Sequence, residues 1–239
     1  GMGEFLLFAQ FLGLGIVLAG WRHQRRLYQI LGGGLLVSAL VVSPMNGSRS
    51  VVLGILIPLP VILFTLLGRR GGSYAVAGLL FILVIGGGLF SQSEWAMSGW
   101  EAIEYRMEKA SDQETRVQGM LLDPLHKVGV GGIMGYGAGT THQAASVLSS
   151  QGRIQIEGAG YEGELGRVII ELGIFGGLFF LLFKAWFVWI AWQAMRRAKT
   201  SWTLLLSVTA FGFLFLKLGV GMIVFNHVSA ALYWLCAGS

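Results

Sequence analysis

The sequence predicts an all-α fold: a polytopic bundle of transmembrane helices with a large outer loop that contains short helices. Of its 239 residues, 54% are hydrophobic and only 12% are charged, whereas about a quarter of the residues in a soluble domain are charged. The apolar residues form runs close to the roughly 20 residues that a helix needs to cross a bilayer. The basic residues lie in short clusters between these runs, as membrane topology requires, and do not form a block for nucleic acid.

Six apolar runs approach the membrane-spanning length, and a seventh, shorter run predicts a short return helix. The runs cover 4–20, 27–44, 51–68, 74–91, 168–192 and 203–220, followed by 223–238. We therefore divide the chain into four transmembrane helices in 1–91, a large loop in 92–167 and the C-terminal transmembrane helices in 168–239.

The basic clusters predict the orientation of the chain. Lys and Arg prefer the cytoplasmic side of short loops, whereas long loops are translocated regardless of their charge. The loop around Arg49 has a single basic residue and is expected outside, together with the long segment 92–167. The clusters expected in the cytoplasm are Arg22, Arg25 and Arg26, then Arg69 and Arg70, then Arg196, Arg197 and Lys199.

Two capping boxes and a glycine-rich stretch organise the long segment. In each box a Ser is followed three residues later by a Glu, which predicts short helices over about 99–110 and 112–122. The stretch from Gly129 to Gly139 is too rich in glycine for a helix and predicts a loop. It is a weak phosphate-loop candidate because it lacks the Lys-Ser/Thr pair of a nucleotide site. A helix is expected to begin within 140–142.

A charged pattern precedes the fifth apolar run. In a helix, Glu164, Arg167 and Glu171 lie on one face, at spacing i, i+3 and i+7. Two interpretations stay open: a self-satisfied salt-bridge stripe, or a functional group, because a carboxylate inside an apolar run is expensive. Lys184 is expected to extend towards the interface. Gly173 and Gly177 predict close helix packing, with a hinge as the alternative.

Three short motifs carry a resemblance to a known family. They are Ser43-Pro-Met-Asn-Gly-Ser-Arg-Ser50, then Arg116 with Asp123-Pro124 and Gly135-Tyr-Gly-Ala-Gly139, and Glu171-Leu-Gly-Ile-Phe-Gly176. The chain resembles the C-terminal part of the superfamily of O-antigen ligases and O-antigen polymerases, which are membrane proteins of the bacterial envelope. Family members are usually longer at the N-terminus, so we expect the chain to be a part of such a protein.

The resemblance implies a glycosyltransferase at the outer face of the bacterial inner membrane. Its partners would be a glycan donor linked to polyprenyl diphosphate, a glycan or lipid acceptor and membrane lipids, with no nucleotide sugar, no cofactor and no nucleic acid. A diphosphate leaving group needs cations, and Arg binds phosphate oxygens with two parallel hydrogen bonds. The outer candidates are Arg49, Arg116, Arg153 and Arg167, with Lys127 as an additional charge.

The acceptor hydroxyl needs a general base. In many ligases a His shortly before the Glu-x-Gly motif is the proposed base, and Glu162 stands at about that place here. The candidates are Glu164, Glu162 and His142, and the helical spacing favours Glu164. Glu171 is expected to support the site. We expect no metal, because no His, Asp and Glu cluster has ligand spacing. A non-enzymatic transporter or flippase of lipid-linked envelope precursors is the alternative function.

Overall fold

The described part of the chain is helical. The structure, a computed structural model, describes residues 2–43, 51, 54–67, 101, 105, 124–125, 127–142, 145–148, 164–219, 223 and 226–238. These residues form seven helices and no strand, which confirms the all-α prediction. The predicted helices 74–91 and 112–122 lie outside the described residues. Of the predicted helix 99–110, Glu101 and Tyr105 are described, and both are helical.

Among the described residues, three helices are long and apolar enough to cross a membrane, which makes this a membrane protein: Met2–Arg22, Glu164–Arg197 and Ser201–Leu218. We number the helices in chain order. They are α1 (Met2–Arg22), α2 (Arg26–Val42), α3 (Leu59–Leu67), α4 (Ala145–Leu148), α5 (Glu164–Arg197), α6 (Ser201–Gly219) and α7 (His227–Gly238).

Helix α6 is central to the bundle and contacts α1, α5, α7 and α3. Glycines allow α1 to approach its neighbours closely: a Cβ on Gly13 would overlap the backbone of Leu36 in α2, and one on Gly15 would overlap the Leu205 carbonyl in α6. Small residues permit such close backbone contact between membrane helices. The buried side chains of Phe11, Phe211 and Phe213 fill the space around this crossing.

The predicted run 51–68 is not one continuous helix. Val51 is helical, residues 54–58 form turns, and α3 begins at Leu59. Pro58 lacks an N–H and clashes with a preceding helical turn, whereas Pro60 lies in the first turn of α3, where proline is tolerated. The buried Gln10 of α1 fixes this segment, because its Nε2 donates to the Val51 carbonyl at 3.1 Å and to Ser43 Oγ at 2.7 Å.

Helix α5 is broken at Gly173, where the backbone has φ 72° and ψ −177°. Lys184 follows Glu164 by 20 residues, yet its Nζ is 3.0 Å from Glu164 Oε2. A straight helix would separate the two residues by about 30 Å. The limbs 164–172 and 174–197 therefore form a V with its apex at Gly173. The second limb, roughly 36 Å long, suffices by itself to cross a bilayer. The alternative of a hinge is thus correct for Gly173, and the prediction of close helix packing is correct for Gly177, where a Cβ would overlap the Ile169 side chain of the first limb.

The two ends of the bundle differ in charge. The turn after α1 and the turn after α5 lie at the same end, because Arg22 Nη1 donates to the Ala198 carbonyl at 2.6 Å. We call this the basic end; it carries the Arg25–Arg26 and Arg196–Lys199 clusters. Glu4, at the start of α1, and Lys217, near the end of α6, mark the opposite end. The prediction that these two basic clusters share a side of the membrane agrees with this arrangement.

Candidate functional site

The candidate site is built where the glycine-rich segment meets the break in α5. The prediction of a loop from Gly129 is wrong at its start, because residues 127–131 are helical and the turns begin only at Gly132. We call residues 132–142 the glycine loop. Its Tyr136 N–H donates to the Ile170 carbonyl and its Gly137 N–H to the Glu171 carbonyl, each at 2.9 Å, while the Ile174 N–H donates to the Gly132 carbonyl at 3.1 Å. These bonds satisfy backbone groups that the break in α5 releases, since buried backbone N–H and carbonyl groups need hydrogen-bond partners.

Glycine is necessary on both sides of this contact. Gly135 has φ 71° and Gly173 has φ 72°, a region that L-residues rarely adopt. A Cβ on Gly135 would overlap the Glu171 carbonyl, and one on Gly173 would overlap the Ile133 carbonyl. The Gly-x-Gly motif of the loop and the Glu-x-Gly motif of α5, about 35 residues apart in sequence, are therefore two halves of one contact.

The carboxylate of Glu171 fixes the glycine loop from within. Its Oε2 accepts the Gly139 N–H at 2.9 Å, and its Oε1 accepts the Thr141 N–H at 3.1 Å and the Thr141 hydroxyl at 2.5 Å. The side chain is 7% exposed, and three donors offset the cost of burying its charge. The loop amides that a phosphate would need are thus occupied by the protein's own anion.

His142 directly follows Thr141 and is exposed. The backbone N–H of His142 donates to the Gly139 carbonyl at 3.0 Å, and the backbone carbonyl of His142 accepts the Ala145 N–H at 3.0 Å. Residues 138–141 are turns and α4 begins only at Ala145, so the expectation of a helix start within 140–142 is wrong. The imidazole is thereby presented at the surface, beside a loop that Glu171 fixes.

Glu164 is part of a buried ion pair. Its Oε2 accepts a hydrogen bond from Lys184 Nζ at 3.0 Å, and its Oε1 accepts the N–H of Ile223, in the connection between α6 and α7. The Glu164 side chain is 3% exposed and the Lys184 side chain 5%. The expectation that Lys184 extends towards the interface is wrong, because the V of α5 places its ammonium group against a carboxylate. Glu164 thereby joins both limbs of α5 to the α6–α7 connection.

A second ion pair, between Glu4 and Lys217, was not predicted from the sequence; its Lys217 side chain is buried and its Glu4 side chain is partly exposed. Lys217 Nζ lies 2.7 Å from Glu4 Oε1 and 2.6 Å from Oε2, and it also lies 5.6 Å from the centre of the Phe213 ring. The available signal was Lys217 itself, a cation inside the apolar run 203–220, since a buried charge needs a partner of opposite sign.

The predicted site residues have different outcomes. The structure describes His142, Glu164, Arg167 and Glu171, whereas Arg49, Arg116, Arg153 and Glu162 lie outside the described residues. The first limb of α5 carries Glu164, Arg167 and Glu171, but the two carboxylates bind different groups at its two ends. Arg167 is partly exposed between them, and Lys127 is buried. Within the described residues, no group of three His, Cys, Asp or Glu side chains could hold a metal ion.

Comparison of the chain with protein-family models, curated proteins and solved structures found no match. Function is therefore argued from the chemistry of the site.

Proposed function

We propose that the protein is a membrane glycosyltransferase of the O-antigen ligase or polymerase type. It would transfer a glycan from a polyprenyl-diphosphate carrier to a glycan or lipid acceptor at the outer face of the bacterial inner membrane. The observation that carries the proposal is the fixed glycine loop, which Glu171 holds on the break in α5 and which presents His142 at its surface. The loop belongs to the segment that the basic clusters predict to be extracytoplasmic.

In this reaction the acceptor hydroxyl oxygen forms a bond to the anomeric carbon of the glycan, and the bond from that carbon to the diphosphate oxygen breaks. The hydroxyl proton passes to a general base, and polyprenyl diphosphate leaves as an anion. Arg side chains suit the developing phosphate charge. Arg49, Arg116, Arg153 and Arg167 remain the proposed diphosphate ligands.

The environments of the candidates favour His142 over Glu164 as the base. His142 is exposed, and imidazole is the most frequent general base in enzymes. Glu164 is buried, its two oxygens accept from Lys184 and Ile223, and taking a proton would weaken both bonds. We therefore propose Glu164 as a positioning residue, although helical spacing favoured it as the base. Glu162 stays a candidate beside His142.

A transporter or flippase of lipid-linked precursors is the second candidate. The observation in its favour is the presence of two ion pairs in a bundle of apolar helices: Glu164–Lys184, which is buried, and Glu4–Lys217, which is partly buried. Ionisable groups within such a bundle are typical of transport pathways. Each charge in these pairs has an opposite partner, which also suits a purely structural role.

The test is glycan transfer from a purified polyprenyl-diphosphate donor by the full-length protein in liposomes. We expect His142→Ala to lower the rate by about two to four decades, as loss of a general base does, with donor binding retained. His23→Ala changes another exposed histidine, at the basic end, and should transfer at the wild-type rate. Movement of the intact donor across the bilayer without transfer would instead establish the transporter.

A double variant separates the two roles of Glu164. Breaking a buried ion pair leaves an uncompensated charge and costs roughly 3–5 kcal/mol, whereas replacing both partners costs much less. We therefore expect Glu164→Gln to lose stability and transfer, and Glu164→Gln with Lys184→Gln to regain most of both. If the double variant is stable but inactive, and His142→Ala is active, then Glu164 is the base and our assignment fails.

A further inference from the structure

The second limb of α5 carries a groove at the basic end that neither the site nor the core uses. The groove has a volume of about 300 Å³ and is lined by Trp186, Trp189, Ile190, Gln193, Ala194 and Arg197. These positions recur at helical spacing and so share one face of the limb. Lys184, Val188, Ala191 and Met195 are buried on the opposite face. The groove therefore faces away from the other helices that the structure describes, on the side where a membrane helix meets lipid.

The aromatic wall of the groove is pre-formed. The rings of Trp189 and Trp192 are in contact, with centroids 4.9 Å apart, and the Arg196 guanidinium lies over the Trp192 ring at 4.7 Å. Trp192 Nε1 donates to Thr65 Oγ1 of α3 at 3.3 Å, which fixes the stack to the rest of the protein. Trp192 does not line the groove, but its contact with Trp189 supports that ring, which lowers the cost of ordering it around a ligand.

The two ends of the groove differ in chemistry. Trp186, Trp189 and Ile190 are exposed apolar side chains further into the limb, while Arg197 is exposed in its last turn. In the part of the chain that the structure describes, no carboxylate forms an ion pair with Arg197. An amphipathic molecule with an anionic head and an apolar tail matches this order of groups.

We propose that this groove binds an anionic phospholipid. Its phosphate would accept hydrogen bonds from Arg197, which can bind phosphate oxygens with two parallel bonds. One acyl chain would lie against Trp186, Trp189 and Ile190. Arg196, which lies over the Trp192 ring beside the groove, adds to the attraction for negatively charged lipid. The site is independent of the proposed glycan transfer, since it lies at the far end of the second limb of α5, whereas the glycine loop contacts the break at Gly173.

The experiment measures lipid retention by the purified full chain with native mass spectrometry. The protein is incubated in detergent with dioleoyl phosphatidylglycerol or dioleoyl phosphatidylcholine at equal concentration. We expect preferential retention of phosphatidylglycerol. Arg197→Gln should weaken retention of phosphatidylglycerol roughly tenfold. This is the effect of losing one charge-assisted hydrogen bond at the lower end of the usual energy range, about 1.5 kcal/mol. Glycerol phosphate, which has the head but no chains, should not compete.

Two further variants and two controls make the result specific. Ala194→Trp fills the groove without removing a native contact and should abolish the preference, and Trp189→Ala should weaken retention. Arg25→Gln and Trp202→Ala change an exposed arginine and an exposed tryptophan of the same end outside the groove, and both should bind as the wild type does. Equal retention of the two lipids, or an Ala194→Trp variant with an unchanged preference, would overturn the proposal. Competition by glycerol phosphate would mean that the site binds phosphate without the acyl chains, which would also overturn the proposal of a lipid site.

Discussion

Two carboxylates on the first limb of α5 show how a charge is accommodated in an apolar helix. Glu171 accepts three hydrogen bonds from the glycine loop, and Glu164 pairs with Lys184. The sequence indicated that Glu171 has a role, because an unpaired carboxylate in an apolar run is too costly. It could not identify the partners, since Gly139 lies 32 residues away and helical spacing describes only local neighbours.

Replacement of Glu171 by Gln should release the glycine loop. The amide has a single acceptor oxygen, and its NH₂ group would face one of the N–H donors of Gly139 and Thr141. We expect a loss of about 2–4 kcal/mol in the free energy of unfolding, because charge-assisted bonds are replaced by an unpaired donor. Hydrogen exchange measured by mass spectrometry should become faster in 135–142. Glu101→Gln changes an exposed carboxylate and should leave this exchange unchanged. Equally fast exchange in both variants would contradict the role of Glu171 in fixing the glycine loop.

At the scale of elements, the apolar runs predicted where helices occur but not where they break. The bounds of α1 and α2 lie within a few residues of the predicted runs, because long hydrophobic stretches specify membrane helices strongly. The prediction of one continuous helix over 51–68 was wrong because hydropathy does not register the missing N–H of Pro58. The hinge at Gly173 was only an alternative, because the same glycine suits a close helix contact. Its partner, the glycine loop, lies far away in the sequence.

The break in α5 predicts opposite effects for two glycine-to-alanine changes. Gly173→Ala places a Cβ against the Ile133 carbonyl in a conformation that costs an L-residue about 1–3 kcal/mol from the backbone alone. It should lower the melting midpoint clearly. Gly34 lies inside α2 with no atom within 4 Å of an added Cβ, so Gly34→Ala should be neutral or stabilising by roughly 0.5–1 kcal/mol. Circular dichroism melts in one detergent measure both. A Gly173→Ala protein as stable as wild type would mean that this residue does not need a positive φ.

At the scale of the whole molecule, composition predicted the class of protein and loop charge predicted which turns lie at the same end of the bundle. A chain with 12% charged residues cannot cover a soluble globule of this size, and the structure accordingly contains three helices that could span a membrane. The convergence of the first and last basic clusters at one end was predictable because it depends only on loop charge. The packing of α6 against α1 was not, since contacts such as Gly15 with Leu205 join residues far apart in sequence.

The hydrogen bond from Arg22 to the Ala198 carbonyl predicts the topology in two separable steps. Since it holds the turns 23–25 and 198–200 at one end, tags inserted in the first turn and after Lys199 must report the same side of the membrane. Opposite reports would contradict the bundle itself.

The basic clusters further predict which side this is. Tags in the first turn, after Arg70 and after Lys199 should all report the cytoplasm, and a tag within 143–152 should report the outside. An alkaline phosphatase and fluorescent protein fusion pair at each position measures this. A cytoplasmic signal from 143–152 would leave the helix packing unchanged but would place His142 and the glycine loop in the cytoplasm. The proposed glycan acceptor lies at the outer face, so the proposed glycan transfer would then be untenable.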